Sequence, residues 1–579
     1  MRKKPKDTLF TDRIRFAISA TVLLTIVLIG RLYYLQVVQH EKYALLSNRN
    51  RIRIRPIIPK RGRIIALNNI PLAFTGAKYR LVGDSSVRKD LESDIKSLLA
   101  DPQAVQFIRP DLFQEARKTP PYSHIIIKDE MAWAQANQCL PLLNKYKTLY
   151  LDNYYYRVYP LEASACHIVG YMSAPSTKQA LPLEYKCGKT GIEEHFDPML
   201  AGEFGVKKTE VNARSVPVKD LCDDKAESGQ DLETTIDAGL QKLVYQLLSV
   251  HKAASCVVMN IENGHILAMV SVPGFDPNKL TSNQKYWQHV MQASTNPLMN
   301  RSIAGLYPPG STFKPIVALA ALKAGVIDRN TKIFCPGYMR LGNHIFHCWK
   351  HAGHGYVNVE QAIASSCDVF FYNLGLRLKL SDITEMAEVF GLGDKTEVNV
   401  PHEQSGKILI GKPSGGGRAA RRVLTAIGQG SIVVTPIGLC VMTAQIANGG
   451  YRVFPTLSKG KMSPRESLGI SPKHIEIVKN GMFWVCNKPG SSGYARGYSA
   501  RYPIAGKTGT AQVVSLSDKR GHSWQYKDHA LFIAYGPADR PKYAVAVVVD
   551  HGTSGALSCI PVARQVFDYI EANEKPADN

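Results

Sequence analysis

Nucleic-acid-binding motifs are missing from this chain, although it is strongly basic: 71 lysines and arginines oppose 48 aspartates and glutamates, a net charge of +23 over 579 residues. Without such a motif the charge does not point to nucleic acid. An anionic membrane surface and a pyrophosphate-bearing lipid substrate suit it equally well, and a generally basic surface accounts for most of it. A phosphate-binding loop is absent too, because Gly188-Lys-Thr190 has Leu183 where that loop needs its first glycine. Long apolar runs are scarce. Residues 16–30 carry no charge and 32–38 continue the run past Arg31, which can snorkel to the headgroups, but no later stretch reaches membrane-spanning length. No small-x-small cleavage site follows the run, which argues against a removable signal peptide. Arg2, Lys3, Lys4, Lys6, Arg13 and Arg15 precede it. Residues 1–15 are therefore expected to be a cytoplasmic tail and 16–38 a single signal anchor, with the remainder outside the cytoplasm.

Three short strings are present, in order, in the second half: Ser311-Thr-Phe-Lys314, Ser366-Cys-Asp368 and Lys507-Thr508-Gly509. A serine hydroxyl is a poor nucleophile at neutral pH and needs a base beside it. If Ser311 caps a helix after the turn Tyr307-Pro-Pro-Gly310, Lys314 lies one turn on, close enough to take the proton. The apolar run Pro315-Ile-Val-Ala-Leu-Ala-Ala-Leu-Lys323 supports that helix. Each string alone is weak: Ser86-Val-Arg-Lys89, Ser93-Asp-Ile-Lys96 and Lys189-Thr-Gly191 repeat two of the spacings. Context separates the set, because Lys507-Thr-Gly lies within a β-like run where Gly509 lets backbone approach a ligand.

Serine-x-x-lysine, the second serine motif and Lys-Thr-Gly are together the signature of penicillin-binding proteins and class A β-lactamases. The chain resembles a class B penicillin-binding protein nearly end to end. Arg301-Ser-Ile-Ala-Gly-Leu-Tyr-Pro-Pro-Gly-Ser-Thr-Phe-Lys314 is close to the family's nucleophile segment. Met259-Asn-Ile-Glu-Asn-Gly-His-Ile-Leu-Ala-Met269 resembles its first core strands, and Gly428-Gln-Gly430 with Thr435-Pro436 a loop below the site. An acid at Asp368 resembles the elongation branch, penicillin-binding protein 2; the septal branch usually carries Asn there. The resemblance implies a D,D-transpeptidase that cross-links peptidoglycan stem peptides, is acylated by β-lactams, and works with a membrane-embedded SEDS-family glycosyltransferase of the elongation machinery.

Residues 39–226 are expected to form a non-catalytic pedestal of the dimerisation type, 227–572 the transpeptidase domain, and 573–579 a frayed tail. Alternation of Arg49, Arg51, Arg53 and Arg55 with Asn50, Ile52 and Ile54 predicts a strand with one basic face. Arg157, Glu193 and Arg214 read as structural groups that, in the family, knit the pedestal to the catalytic domain. Strands are predicted at 232–236, 255–260, 266–272, 504–514, 530–535 and 543–549, with a helix over 240–250. Strands at both ends and helices between them argue an α+β fold with a largely antiparallel sheet and a helical subdomain. Residues 412–422 and 518–528 read as mobile loops.

In the mechanism these residues imply, Ser311 attacks the carbonyl between two D-alanines with Lys314 as base. The N–H groups of Ser311 and Thr510 stabilise the oxyanion. Ser366 relays a proton to the leaving D-alanine while Lys507 supplies positive charge, and Thr508 and Thr510 hold the substrate carboxylate. An ionised Asp368 would keep one or both lysines charged. Eleven cysteines cannot all pair. Cys335, Cys348, His354 and Cys367 cluster as a set suited to structural zinc, with no open position for Lewis-acid catalysis. His344, His347 and His351 are alternative ligands, and a disulfide is the competing state. Some elongation-branch relatives carry zinc near this place, with Asp at the positions resembling Cys335 and Cys348. A septal transpeptidase or D,D-carboxypeptidase is the nearest alternative function. A β-lactam sensor, a β-lactamase or a non-enzymatic scaffold for wall synthesis belongs to another class.

Overall fold

The computed structural model describes residues 7–43, 51–84, 93–97, 124–146, 148–175, 185–211, 217–408, 417–430, 432–460, 465–513 and 523–574. Two compact units emerge: Met1–Lys60 with Ala77–Tyr155 and Glu203–Ser228, and Arg61–Gly76 with Tyr156–Gly202 and Gly229–Asn579. Two segments of the expected pedestal therefore pack with the catalytic unit. Glu193 shows why. It is fully buried and receives Arg61 Nε at 2.6 Å and Arg157 Nε at 2.7 Å, and Arg61 also pairs with Asp197 at 2.7 Å. Arg157 and Glu193 are structural, as anticipated, and Arg61 is the partner that was missed. Arg214 lies outside the described residues.

In the first unit, helix Asp7–Tyr33 continues into a π-helical turn, Tyr34–Val38. The stretch Phe10–Val38 is long and apolar enough to cross a membrane. Three antiparallel strands follow, with Gly205–Val211 between Ile52–Ile57 and Pro217–Asp224. The predicted arginine-rich strand thus begins at Ile52, and Arg49 falls outside the described residues. A separate small core gathers Leu81, Ile125, Ile127 and Leu149.

The second unit is built on a five-stranded antiparallel sheet in the order Ile266–Val272, Ala254–Asn260, Tyr543–Val549, His529–Gly536, Ala505–Ala511. Nearly every side chain of the three inner strands is buried, so both faces are covered. Helix Pro436–Ala447, apolar on every face apart from Thr443 and Gln445, packs on the sheet with all its residues buried. Helices Ala238–Leu248 and Ile560–Asn573 also pack on the strands. The remaining helices, including Lys314–Lys323, Val359–Ala364, Asp368–Arg377 and Pro472–Asn487, form the helical part.

Most predicted elements appear with shifted ends. The helix over 240–250 is Ala238–Leu248, because Asp237 accepts a hydrogen bond from Leu240 N and caps it. The strand over 232–236 shrinks to Leu232–Glu233, which pairs in parallel with Ile64–Ile65. Of the loop expected at 412–422, residues 412–416 lie outside the described residues. The rest enters a helix, Gly417–Thr425, that buries Val423 and Thr425. Half-buried arginines, Arg421 and Arg422, hid that helix, and Arg422 donates to Leu378 O at 3.0 Å. Within 518–528 the described part holds a short 3-10 turn, Trp524–Tyr526. The final helix runs to Asn573, the first residue of the expected tail.

Candidate active site

The nucleophile segment is pinned before it reaches Ser311. Arg301 is buried and its Nε lies 3.2 Å from Asp550 Oδ2, while Tyr307 donates its hydroxyl to Asp550 Oδ1 at 2.7 Å. Gly310 then takes φ +52°, a conformation that favours glycine. Ser311 is not the helix N-cap that the sequence led us to expect. It sits inside a 3-10 turn, Gly310–Phe313, that runs directly into helix Lys314–Lys323, and its side chain caps nothing. The geometry still serves the purpose, because residues three apart in a 3-10 turn eclipse one another. Among the described residues no group hydrogen-bonds the half-buried Ser311 hydroxyl.

Lys314 is wholly buried, and its Nζ donates to Ser366 O at 2.9 Å, Ser366 Oγ at 3.2 Å and Asp368 Oδ1 at 2.8 Å. It therefore makes no hydrogen bond to Ser311, the partner expected from spacing, because a carboxylate and two oxygens compete for it. Three oxygen acceptors thus surround the Lys314 nitrogen. Ser366 lies at the turn between helices Val359–Ala364 and Asp368–Arg377 with φ +53°, an uncommon conformation for a non-glycine residue. That bend presents both its carbonyl and its hydroxyl to the lysine. Asp368 opens the second helix and spends its other oxygen, Oδ2, on Trp349 N at 3.0 Å.

Lys507 comes from the opposite side, on the sheet's edge strand. It too is wholly buried and donates to Ser366 Oγ at 2.9 Å and Thr508 O at 3.0 Å. Burial, and then the neighbouring Lys314, push its pKa well below the ordinary lysine range, with Asp368 opposing. A fixed positive charge at Lys507, the role expected from sequence, is thus disfavoured; the environment suits a lysine that gives up its proton. Thr508 donates to Ser492 Oγ at 3.3 Å, and Ser492 in turn donates to Ala364 O at 3.0 Å. Ser492 carried no sequence signal beyond its place in a turn. Thr510 is exposed at the strand's rim, where its carbonyl accepts from Gln429 Nε2 at 3.3 Å.

Glycines let these main chains touch. A Cβ on Gly509 would come 2.8 Å from Thr312 Cγ2 and 3.1 Å from Pro309 O, so the close approach it permits is to the nucleophile turn rather than to a ligand. A Cβ on Gly428 would strike Gly310 O at 2.2 Å, and Gly310 N donates to Gly428 O at 2.9 Å. Gly310 itself lies against Thr510, 2.5 Å from a virtual Cβ to the Thr510 carbonyl.

Cys335, Cys348, His354 and Cys367 converge beside this centre, with their ligand atoms within 4.8 Å of one another. Two small antiparallel pairs bring them together: Ile333–Cys335 with Gly355–Val357, and Tyr338–Leu341 with His344–His347. His354 Nδ1 lies 3.6 Å from Cys335 Sγ and 3.5 Å from Cys348 Sγ. Ligand atoms around a tetrahedral zinc stand about 3.5–3.8 Å apart, so the donor set fits. A hydrogen bond from the Cys367 thiol pushes the Cys348 pKa far below the ordinary thiol range, and the same bond pushes Cys367 up. All eleven cysteines are free thiols. His344, His347 and His351 stand outside the cluster.

A serine beside two buried lysines that share a second serine, closed by a Lys-Thr-Gly edge strand, defines the penicillin-recognising serine acyltransferases. The chain belongs to the penicillin-binding protein family: residues 254–568 match the model "Penicillin binding protein transpeptidase domain" and residues 56–234 match "Penicillin-binding Protein dimerisation domain". It is 31% identical to "Peptidoglycan D,D-transpeptidase MrdA" of Escherichia coli K12, over 99% of this chain and 96% of that protein. Its fold is similar to penicillin-binding protein 2 in "Complex between Penicillin-Binding Protein (PBP2) and MreC from Helicobacter pylori", with a TM-score of 0.78, 28% identity, and coverage of 90% and 99%. It is also similar to a chain in "Structural coordination of polymerization and crosslinking by a peptidoglycan synthase complex", with a TM-score of 0.73, 25% identity, and coverage of 98% and 100%.

Proposed function

We infer that this chain is a serine D,D-transpeptidase that cross-links peptidoglycan stem peptides during cell elongation and is a target of β-lactams. The observation that carries the reading is the convergence of Lys314 and Lys507 on one oxygen, Ser366 Oγ, at 3.2 and 2.9 Å. That oxygen accepts from both lysines, so its own proton is free to move toward a substrate.

Ser311 Oγ attacks the carbonyl between the terminal D-alanines and forms an ester, while the peptide C–N bond breaks. The proton lost by Ser311 passes through Lys314 and Ser366 to the departing amine. Lys507, with its depressed pKa, accepts and returns a proton at Ser366 as the steps demand. Backbone N–H groups of Ser311 and Thr510, on segments in contact through Gly310, suit an oxyanion, an effect commonly of about 3 kcal/mol per donor. Thr508 and Thr510 lie two apart on the strand and suit the substrate carboxylate. An amine from a neighbouring stem then displaces the ester.

The four-residue cluster suits a structural zinc held by Cys335, Cys348, His354 and Cys367. Bound there, the metal would supply a fixed cross-link and no open coordination position. The basic residues before Phe10–Val38 support an N-terminus in the cytoplasm and a catalytic unit in the periplasm, anchored in the inner membrane. A SEDS-family glycosyltransferase suits the polymerising partner that a monofunctional transpeptidase requires.

A fluorescent penicillin is expected to label the full chain on Ser311 alone, and Ser311→Ala to abolish labelling without lowering Tm. Label mapped elsewhere would overturn the site. With a donor and an acceptor stem peptide, cross-linked dimer should exceed released tetrapeptide; release alone would favour the carboxypeptidase.

A further inference from the structure

The small hairpin Tyr338–Leu341 and His344–His347 has two unlike faces. Its register pairs Tyr338 with His347 and Arg340 with Ile345, and Met339 with Phe346. Met339, Leu341 and Phe346 turn inward onto the core, and the Phe346 ring meets Tyr372 at 5.6 Å. Tyr338, Arg340, Ile345 and His347 share the outward face, where Tyr338 is 48% and Ile345 46% exposed. Large apolar side chains left half in water on a short, rigid hairpin mark an interaction surface.

The hairpin is held firmly. Cys348 N donates to Gly337 O at 2.8 Å across its base, and the Tyr372 hydroxyl donates to His347 O at 3.1 Å. It also leads directly to the catalytic centre. Trp349, 57% exposed, donates its backbone N–H to Asp368 Oδ2 and its indole N–H to Ser365 O, both at 3.0 Å, one residue from Ser366. Trp349 thus stands beside the second serine motif, and Tyr338 stands on the outward face of the hairpin that leads to it. Between Asp328 and Glu360 the sequence contains no aspartate or glutamate, while Arg329, Lys332, Arg340 and Lys350 lie in that interval.

We propose that this face, Tyr338, Arg340, Ile345 and Trp349, is a subsite for the glycan strand whose stem peptide enters the active site. N-acetylated sugars present apolar ring faces that stack on aromatic side chains, and the stems they carry are rich in carboxylates, which Arg340 attracts. Because the hairpin is already ordered, little conformational entropy is lost when a strand settles on it. The inference rests on the transpeptidase reading and names what that site takes beyond the peptide itself.

The test uses the full chain in detergent carrying Ser311→Ala, so that binding is read without turnover. Two probes are titrated: uncross-linked glycan strands bearing pentapeptide stems, and the free pentapeptide. The strands are expected to bind about tenfold more tightly than the peptide. Tyr338→Ser combined with Ile345→Ser should bring the strand affinity down to that of the peptide, and Arg340→Gln should weaken binding at low salt and flatten its salt dependence. Circular dichroism and Tm identify any variant that fails to fold, and the single variant Tyr338→Phe should then keep the preference. Equal affinity for strand and peptide, or a preference that survives the double variant, would overturn the proposal; in the latter case the face is free for a protein partner. Penicillin labelling of the Ser311-intact chain fails only if the transpeptidase reading fails, which keeps the two outcomes apart.

Discussion

Lys507 illustrates how much a residue's role depends on what surrounds it. Its motif was legible in the sequence, but burial and the adjacent Lys314, which together depress its pKa, were not. The sign follows directly: a lysine pushed down is neutral at a pH where an ordinary one is still charged. The rate of Ser311 acylation by a penicillin should therefore level off below the ordinary lysine value of about 10.4. Stopped-flow acylation from pH 6 to 10 reads this, and a rate that keeps climbing through pH 10 would show a charged Lys507. Lys507→Gln should slow acylation by about a hundredfold or more. Ser492 and Trp349, which hold Thr508 and Asp368, had no motif to betray them, since each acts through a neighbour that only the fold supplies.

At the scale of elements, spacing found every strand of the central sheet and missed what ends them. The nucleophile's helix was foreseen, but not the 3-10 turn that carries Ser311, because Pro308-Pro309-Gly310 encodes a tight turn without fixing its hydrogen-bond pattern. The thiol and imidazole set was legible as four residues close in sequence. Its convergence was not, because it depends on two paired hairpins and on Cys367 preceding helix Asp368–Arg377. That element makes the metal's effect local. Protein purified without chelator should carry close to one zinc per chain, and removing it should lower Tm and slow acylation by loosening the Ser366 turn. Metal analysis and a chelator melt measure both. Less than half an equivalent of zinc, with a Cys335–Cys348 disulfide in the mass spectrum, would end the assignment.

For the whole molecule, helix Phe10–Val38 is long and apolar enough to cross a membrane, and the proposed polymerising partner is one that shares that membrane. Co-purification from mild detergent should recover the elongation polymerase, and a phosphatase fused after Asn579 should be active only with the expected orientation. Recovery of the septal polymerase instead, or an inactive phosphatase, would overturn these expectations. The catalytic unit is assembled from three stretches of chain, Arg61–Gly76, Tyr156–Gly202 and Gly229–Asn579, and Glu193 with Arg61 and Arg157 ties the first two together. A carboxylate sealed from water between two guanidiniums must keep its partners, at a cost of about 3–5 kcal/mol if one is lost. Gene exchange between related bacteria is therefore constrained. A mosaic allele that acquires a drug-tolerant sequence from Gly229 onward can leave the triad intact, whereas a crossover between codons 61 and 193 joins an arginine from one parent to a carboxylate from another, so both parents must have kept the same match.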